Sequence, residues 1–215
     1  MSAHPLRALL DDAAARRFPP ADGLIEVMPS PGGRADVLMG MTGHFVLAAD
    51  NDPNEVAADI PPGDLSQPMS AATLNRLARR LDSWPATLDA LLCCMGSGEG
   101  APAWLREVDA YDHPRVERAS RYRHERRVFV ADDDAAVLVV GRGVCDRWEL
   151  GFEVAPGARG RGLGRNVARA AAGLVPAGES LWAQVAPGNA ASLRAVVAAG
   201  YVPVAAEVLF PRSAV

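Results

Sequence analysis

The sequence predicts an α/β (α+β) protein in which helices flank a mixed, mainly antiparallel sheet. A chain of 215 residues with 49% hydrophobic and 22% charged residues has the composition of a globular protein with one large domain or two small ones. Three apolar strand signals, at residues 127–131, 135–140 and 147–154, have the short spacing of an antiparallel meander. Helix and strand patterns then alternate towards the C-terminus, as expected for a mixed sheet.

Residues 1–110 are predicted to form an extra N-terminal α+β segment. The apolar spacing predicts a helix over 3–17, a strand over 24–28, one or two strands within 36–49, a loop over 50–68 rich in Asp and Pro, and a helix capped by Ser70. A second helix is expected from Pro85 to Gly96, carrying Cys93 and Cys94 as small buried groups. Residues 96–102 are predicted to be a linker.

Residues 111–215 are predicted to form the second part of the molecule. The expected elements are a short helix after Pro114, the meander, a helix over 162–174, a strand over 181–186, a helix over 190–199 and a strand over 201–210. The acidic run 132–134 is predicted to form the first turn of the meander.

The composition excludes several functions. All 22 basic residues are Arg, so Lys-dependent chemistry such as Schiff-base formation is excluded. Residues 111–215 carry 14 Arg against 11 acidic residues, on a chain of net charge −4. This balance suits a small anionic ligand better than a long polyanion. Four His and three Cys without ligand spacing predict no metal site, and the sequence predicts a soluble, cytoplasmic protein without a membrane partner.

The segment 153–165 has the pattern of an anion-binding loop. A strand ends at Val154, and a run of alternating Arg and Gly leads into a helix. Glycines allow close approach of the backbone, and the unpaired N–H groups of the first helical turn point at the ligand. A P-loop would need Lys, which this chain lacks. A dinucleotide-binding loop would need G-x-G-x-x-G early in a βαβ unit, whereas this chain has G-x-G-x-G after the meander. A purely structural turn is the remaining alternative.

Two motifs resemble the GNAT N-acetyltransferase superfamily. The pattern Val154-x-Pro156-x-x-Arg159-Gly160-x-Gly162-x-Gly164 resembles the acetyl-CoA pyrophosphate loop of that family. Downstream, Asn189, Ser192, Gly200 and Tyr201 stand at the offsets of a second family motif. The resemblance covers residues 112–215. The family fold needs further elements, and residues 1–110 would either supply them or form an added domain. Members of the family normally end on a hairpin, but after Tyr201 this chain has room for one strand only. The missing strand could be shortened, supplied from residues 24–48, or exchanged with a second subunit in a homodimer.

The resemblance implies a binding site for acetyl-CoA as cosubstrate. The two strands before and after the 162–174 helix would separate at Val154 and Ala186, and the pantetheine arm would lie between them. The cofactor-binding residues implied are Phe152, Val154, Arg159, Gly160, Arg161, Gly162, Leu163, Gly164, Arg165, Asn189 and Ser192. The residues themselves leave Asn189 open as a helix N-cap and Ser192 open as a packing residue.

The resemblance also implies direct attack of an amine on the thioester, with a carboxylate as the base. Glu149 and Glu153 lie four residues apart on a strand, hence on one face, and Glu149 is the first candidate. The alternative is that both are solvent-facing acids. The family's usual general-acid Tyr is replaced by Val196, which has the spacing of a core residue. Ser192, a water or Tyr201 are the candidate substitutes.

Three functions follow from the sequence. The first is an N-acetyltransferase acting on a small-molecule or peptide amine, and the second is a non-catalytic acyl-CoA sensor. The third, an Arg-rich nucleic-acid binder, rests on the six Arg residues at 115, 118, 121, 123, 126 and 127. Acidic residues interleave this stretch, so a solvated helix face explains it better than nucleic-acid binding. The resemblance implies, as a further alternative, that such residues hold the 3′-phosphate of CoA or an acidic substrate.

Overall fold

The computed structural model describes residues 4–60 and 63–212, which form two compact units. Unit 1 takes the described residues of Met1–Ala90 and Val204–Val215, and unit 2 is Leu91–Pro203. The described helices are α1 (Pro5–Ala14), α2 (Pro53–Asp59), α3 (Ala71–Arg80), α4 (Pro114–Tyr122), α5 (Leu163–Gly173) and α6 (Ala190–Ala198). The described strands are β1 (Ile25–Met28), β2 (Ala35–Met41), β3 (His44–Ala48), β4 (Leu88–Met95), β5 (Leu105–Val108), β6 (His124–Ala131), β7 (Ala136–Arg142), β8 (Trp148–Val154), β9 (Ser180–Val185) and β10 (Val202–Pro211).

Unit 1 is a small α+β unit with the strand order β1-β3-β2-β10. Its core includes Leu38 and Leu47 of the sheet together with Val56 of α2 and Leu77 of α3. β1 is parallel to β3, whereas β2 is antiparallel to both β3 and β10. β2 therefore supplies a neighbour for β10 from within residues 24–48, one of the three alternatives for the missing strand.

Unit 2 has the strand order β4-β9-β8-β7-β6-β5. From β5 to β8 each strand pairs antiparallel with the next, as the meander pattern predicts. β8 and β9 pair in parallel only from Trp148–Leu181 to Leu150–Ala183. Within the described part of the chain this leaves the C-terminal half of β8 paired on one side only, because β7 follows it to Val154.

Two helices of unit 2 cover opposite faces of β8. Next to Gly164 of α5 lie the side chains of Phe152 and Val154, whereas next to Gly151 lie those of Arg115 and Arg123 at the two ends of α4. Successive side chains of a strand point to opposite faces, so α5 covers one face and α4 the other. Ala119 of α4 packs against Val128 of β6 and against Val137 and Val139 of β7.

Many predicted elements agree with the structure. The fold class is confirmed as a mixed, mostly antiparallel sheet with flanking helices. Ser70 caps α3 by accepting a hydrogen bond from the Thr73 amide. The predicted helix at 3–17, the strand at 24–28 and the elements of 111–215 are also present, with shifts of a few residues at their ends.

Two predictions for the N-terminal half are wrong, and one strand was not predicted. The helix expected from Pro85 to Gly96 is the strand β4, so Cys93 and Cys94 lie on a strand, although Cys93 is buried as expected. Residues 50–68 are not all loop, because α2 begins behind the N-cap Asp52. The short strand β5 was missed altogether.

Candidate active site

A cleft of about 670 Å³ in unit 2 brings most of the predicted site residues together. The predicted residues that line it are Phe152, Glu153, Val154, Arg159, Gly160, Gly162, Leu163, Gly164, Arg165, Asn189 and Ser192. Two predicted residues, Arg161 and Glu149, do not line it. Arg115 of α4, which the sequence analysis considered only as part of the basic stretch, also lines the cleft. The lining residues that the sequence analysis missed are Ala158, Ala191, Arg194, Ala195 and Ala198.

The loop before α5 leaves backbone donors exposed towards this cleft. Gly160 and Gly162 have φ angles of +76° and +81°, which favour glycine. Gly162 is the N-cap of α5 and offers no side chain to the first amides of the helix. These amides, together with the partial positive charge of the helix N-terminus, suit an anion. Arg159 fixes the loop, since its Nε donates to the Val154 carbonyl oxygen at 2.9 Å.

The start of α6 forms the other wall. Asn189 is the N-cap of this helix, and its Oδ1 accepts a hydrogen bond of 3.1 Å from the Ser192 amide. The plain capping role that the sequence left open is therefore present. Because both residues also line the cleft, capping leaves the Asn189 amide group and the Ser192 hydroxyl available to a ligand that would enter it.

The family follows from a match over this region. The model of the acetyltransferase (GNAT) family matches residues 84–201, more than half of the chain. The chain belongs to the GNAT acetyltransferase family. The match begins at residue 84, ahead of the resemblance at 112–215, and so includes β4 and β5.

Solved GNAT structures are similar to this chain at low identity. A GCN5-related N-acetyltransferase from Kribbella flavida is 14% identical, with a TM-score of 0.42, over 86% of this chain and 89% of that one. A putative GNAT acetyltransferase from Novosphingobium aromaticivorans is 19% identical, with a TM-score of 0.42, over 60% and 68%. A GNAT acetyltransferase from Colwellia psychrerythraea is 15% identical, with a TM-score of 0.37, over 66% of this chain and 63% of that one. This chain therefore covers less than two thirds of that protein's length. No protein of curated function matches the sequence.

Glu149 is buried in a cluster of charges. Its Oε2 accepts a hydrogen bond of 3.0 Å from Arg123 Nε, and its Oε1 accepts one of 2.9 Å from Arg147 Nε. Burial raises the pKa of this carboxyl, but the charges and hydrogen bonds of Arg147 and Arg123 outweigh burial and leave the pKa below its ordinary value. Glu149 is 1% exposed and is outside the cleft lining, an environment that does not suit the predicted role as a base.

Glu153 has the opposite environment on the same face of β8. Its carboxylate lies in the cleft, where Oε2 is 3.8 Å from Arg115 Nη2 and Oε1 is 4.0 Å from Arg159 Nη2. Both distances exceed hydrogen-bond length, so the oxygens of Glu153 can accept a proton or a hydrogen bond from a ligand.

Two of the positions considered for a general acid are buried. Val196 is fully buried, as its spacing predicts. Tyr201 is buried too, and its hydroxyl donates to the Ala168 carbonyl oxygen at 2.9 Å. Burial raises the pKa of Tyr201 well above its ordinary value. Of the candidate substitutes in the chain, only Ser192 lines the cleft.

The basic stretch is largely neutralised by protein groups. Arg121 pairs with Glu117, Arg127 with Glu107 and Arg123 with Glu149. Such pairing offsets part of the positive charge of this stretch. In the described part of the chain, no helix is long and apolar enough to span a membrane.

Proposed function

We propose that this acetyltransferase transfers an acetyl group from acetyl-CoA to a primary amine by direct attack. The observation that carries the proposal is the cleft itself. It contains the N-terminus of α5, which has a glycine loop and no side-chain cap, and the carboxylate of Glu153. The first can bind the cosubstrate, and the second can accept the proton of the amine. Acyl transfer in general follows from membership of the family.

The residues of the cleft fit the CoA group. A Cβ atom at Gly160 would meet nothing within 4 Å, so the backbone there is open to a pyrophosphate. The amides of Leu163 and Gly164 and the guanidinium of Arg165 supply donors for its oxygens. The unpaired inner edge of β8 after Leu150 offers main-chain groups to the pantetheine arm, and Asn189 stands beside this path.

The chemical step needs one base and no covalent intermediate on the enzyme. The neutral amine forms a bond to the thioester carbon while the carbon–sulfur bond breaks. Glu153, directly or through one water, accepts the proton lost by nitrogen, and the leaving thiolate later takes a proton from solvent. A thiol pKa of roughly 8.5 allows thiolate to leave without a general acid, which is consistent with Val196 in the core.

A second candidate function is a non-catalytic acyl-CoA sensor. The buried Val196 and the hydrogen-bonded, buried Tyr201 favour it, because neither can protonate the leaving thiolate. Release of CoA in the presence of an amine separates the two functions. A sensor would bind acetyl-CoA with no more thiol release than buffer gives.

The experiment that tests the binding site is a thermal melt with acetyl-CoA, with NAD as the control ligand. Saturation at about 100 times Kd adds about 2.7 kcal/mol, which raises Tm by roughly 5–10 °C for a chain of this length. Arg165→Gln should reduce the shift, whereas Arg169→Gln, one turn further along α5 and outside the cleft, should retain it. No shift with acetyl-CoA would refute the proposed binding site.

A further inference from the structure

We propose that Arg115 and Glu153 form a subsite for a free α-amino acid, whose carboxylate binds Arg115 and whose amine faces Glu153. The acceptor of this acetyltransferase would then be an amino acid, whereas monoamines and peptide N-termini would be poor substrates. This inference rests on the proposed acyl transfer and names its acceptor class.

Arg115 and Glu153 are positioned as a pair that is open to a ligand. Their nearest atoms, Nη2 and Oε2, are 3.8 Å apart, too far for a hydrogen bond. About a third of each side chain is exposed, 33% for Arg115 and 39% for Glu153, and both line the cleft. A cation and an anion side by side present complementary charges to a zwitterion.

Part of the Arg115 guanidinium lacks a hydrogen-bond partner among the described residues. Its Nε is buried and has no hydrogen-bond partner among residues 4–60 and 63–212. Burial lowers the pKa of this guanidinium, and the like charges of Arg118 and Arg123 add to the effect, against the attraction of Glu153. A bound carboxylate would supply acceptors and offset the repulsion, as bidentate Arg–carboxylate pairs do.

The position of Arg115 favours the acceptor over the cosubstrate as the source of the anion. Arg115 is on α4, which covers the face of β8 opposite to α5 and its phosphate-binding loop. Glu153 stands between Arg115 and Arg159, 3.8 Å from one and 4.0 Å from the other. A phosphate bridging these two arginines would have to approach that carboxylate, and like charges repel.

The short span of the pair decides which amines fit. In an α-amino acid the amine and the carboxylate are attached to the same carbon, so both can reach a cation and an anion that lie next to each other. A monoamine or a peptide N-terminus would leave Arg115 without its acceptor. Sites built around a buried polar group reject analogues that lack its partner.

The test compares each of the twenty L-amino acids with its α-amide in a thiol-release assay with acetyl-CoA. At least one amino acid should be turned over with kcat/KM at least about 10-fold above that of its amide. Arg115→Gln should lower kcat/KM for that amino acid by about 10–100-fold and remove the preference over the amide. It should leave the acetyl-CoA melting shift unchanged. Arg121→Gln, on the exposed side of α4, is the matched control and should behave like the wild type.

Other outcomes would overturn the inference. Equal turnover of acids and amides would do so, as would turnover of no amino acid by a protein that acetyl-CoA stabilises. Loss of the acetyl-CoA shift in Arg115→Gln would assign Arg115 to the cosubstrate. If Arg115→Gln changed only a preference for succinyl-CoA over acetyl-CoA, the anion would belong to the acyl group. Failure of acetyl-CoA to stabilise the wild type would instead refute the proposed function.

Discussion

Two glutamates on one face of β8 differ in what surrounds them. Glu149 is enclosed by Arg123 and Arg147, whereas Glu153 faces the cleft. Position along the strand predicts their shared face, and only the packing of α4 and the β7–β8 turn separates their roles.

Neutralising each carboxylate should therefore give different results. Glu153→Gln should leave Tm unchanged and lower kcat by about 10²–10⁴-fold, the usual contribution of a general base. Glu149→Gln should lower stability by about 3–5 kcal/mol, because two buried arginines lose their partner. A melt and a thiol-release assay on both variants check this. A stable but inactive Glu149→Gln protein would restore Glu149 as the base.

Gly143 is a glycine because Glu149 occupies the space of a side chain. A Cβ atom at Gly143 would overlap the Glu149 carboxyl group. Gly143→Ala should consequently displace the carboxylate from its arginines and lower Tm by several degrees. Gly157→Ala, where a Cβ atom would meet nothing within 4 Å, is the control. Equal Tm values for the two variants would contradict this explanation.

At the scale of elements, the N-terminus of α6 carries a side-chain cap that also lines the cleft. Asn189→Ala removes the hydrogen bond to the Ser192 amide and should cost about 0.5–2 kcal/mol. Asn189→Asp retains the cap and should restore the stability, but the added negative charge in the cleft should weaken acetyl-CoA binding. Chemical denaturation and the acetyl-CoA melting shift measure the two effects separately. If Asn189→Asp bound acetyl-CoA as tightly as the wild type, Asn189 would serve only as a helix cap.

β4 shows where local patterns mislead. Leu, Ala and Met favour helices in isolation, and the run 88–95 contains all three with no β-branched residue. A strand buried on both faces is a continuous apolar run, which periodicity cannot distinguish from a helix. In α2 the signal was present but misread, since Asp52 and Pro53 are a cap and a first helical residue.

At the scale of the whole molecule, stability should fall in acid. The pKa values of Glu149 and Glu107 are below their ordinary values, in both cases with arginine partners. Their stabilising contribution is complete above the unfolded-state pKa of about 4.3 and is lost as the pH falls through the lower folded-state values. Urea unfolding from pH 7 to pH 3 should show this decline, and Glu149→Gln should show a smaller one. An identical decline in both proteins would contradict it.

The sequence by itself determined the family, the meander and the glycine loop before α5. These features depend on residues that are near one another in the chain, such as Gly160 and Gly162 before α5, where local backbone geometry decides the structure. Only the tertiary structure decided that Glu149 is buried, that Glu153 faces the cleft and that Arg115 lies beside it. These depend on α4 packing across β8, a contact between distant parts of the chain that no local pattern encodes.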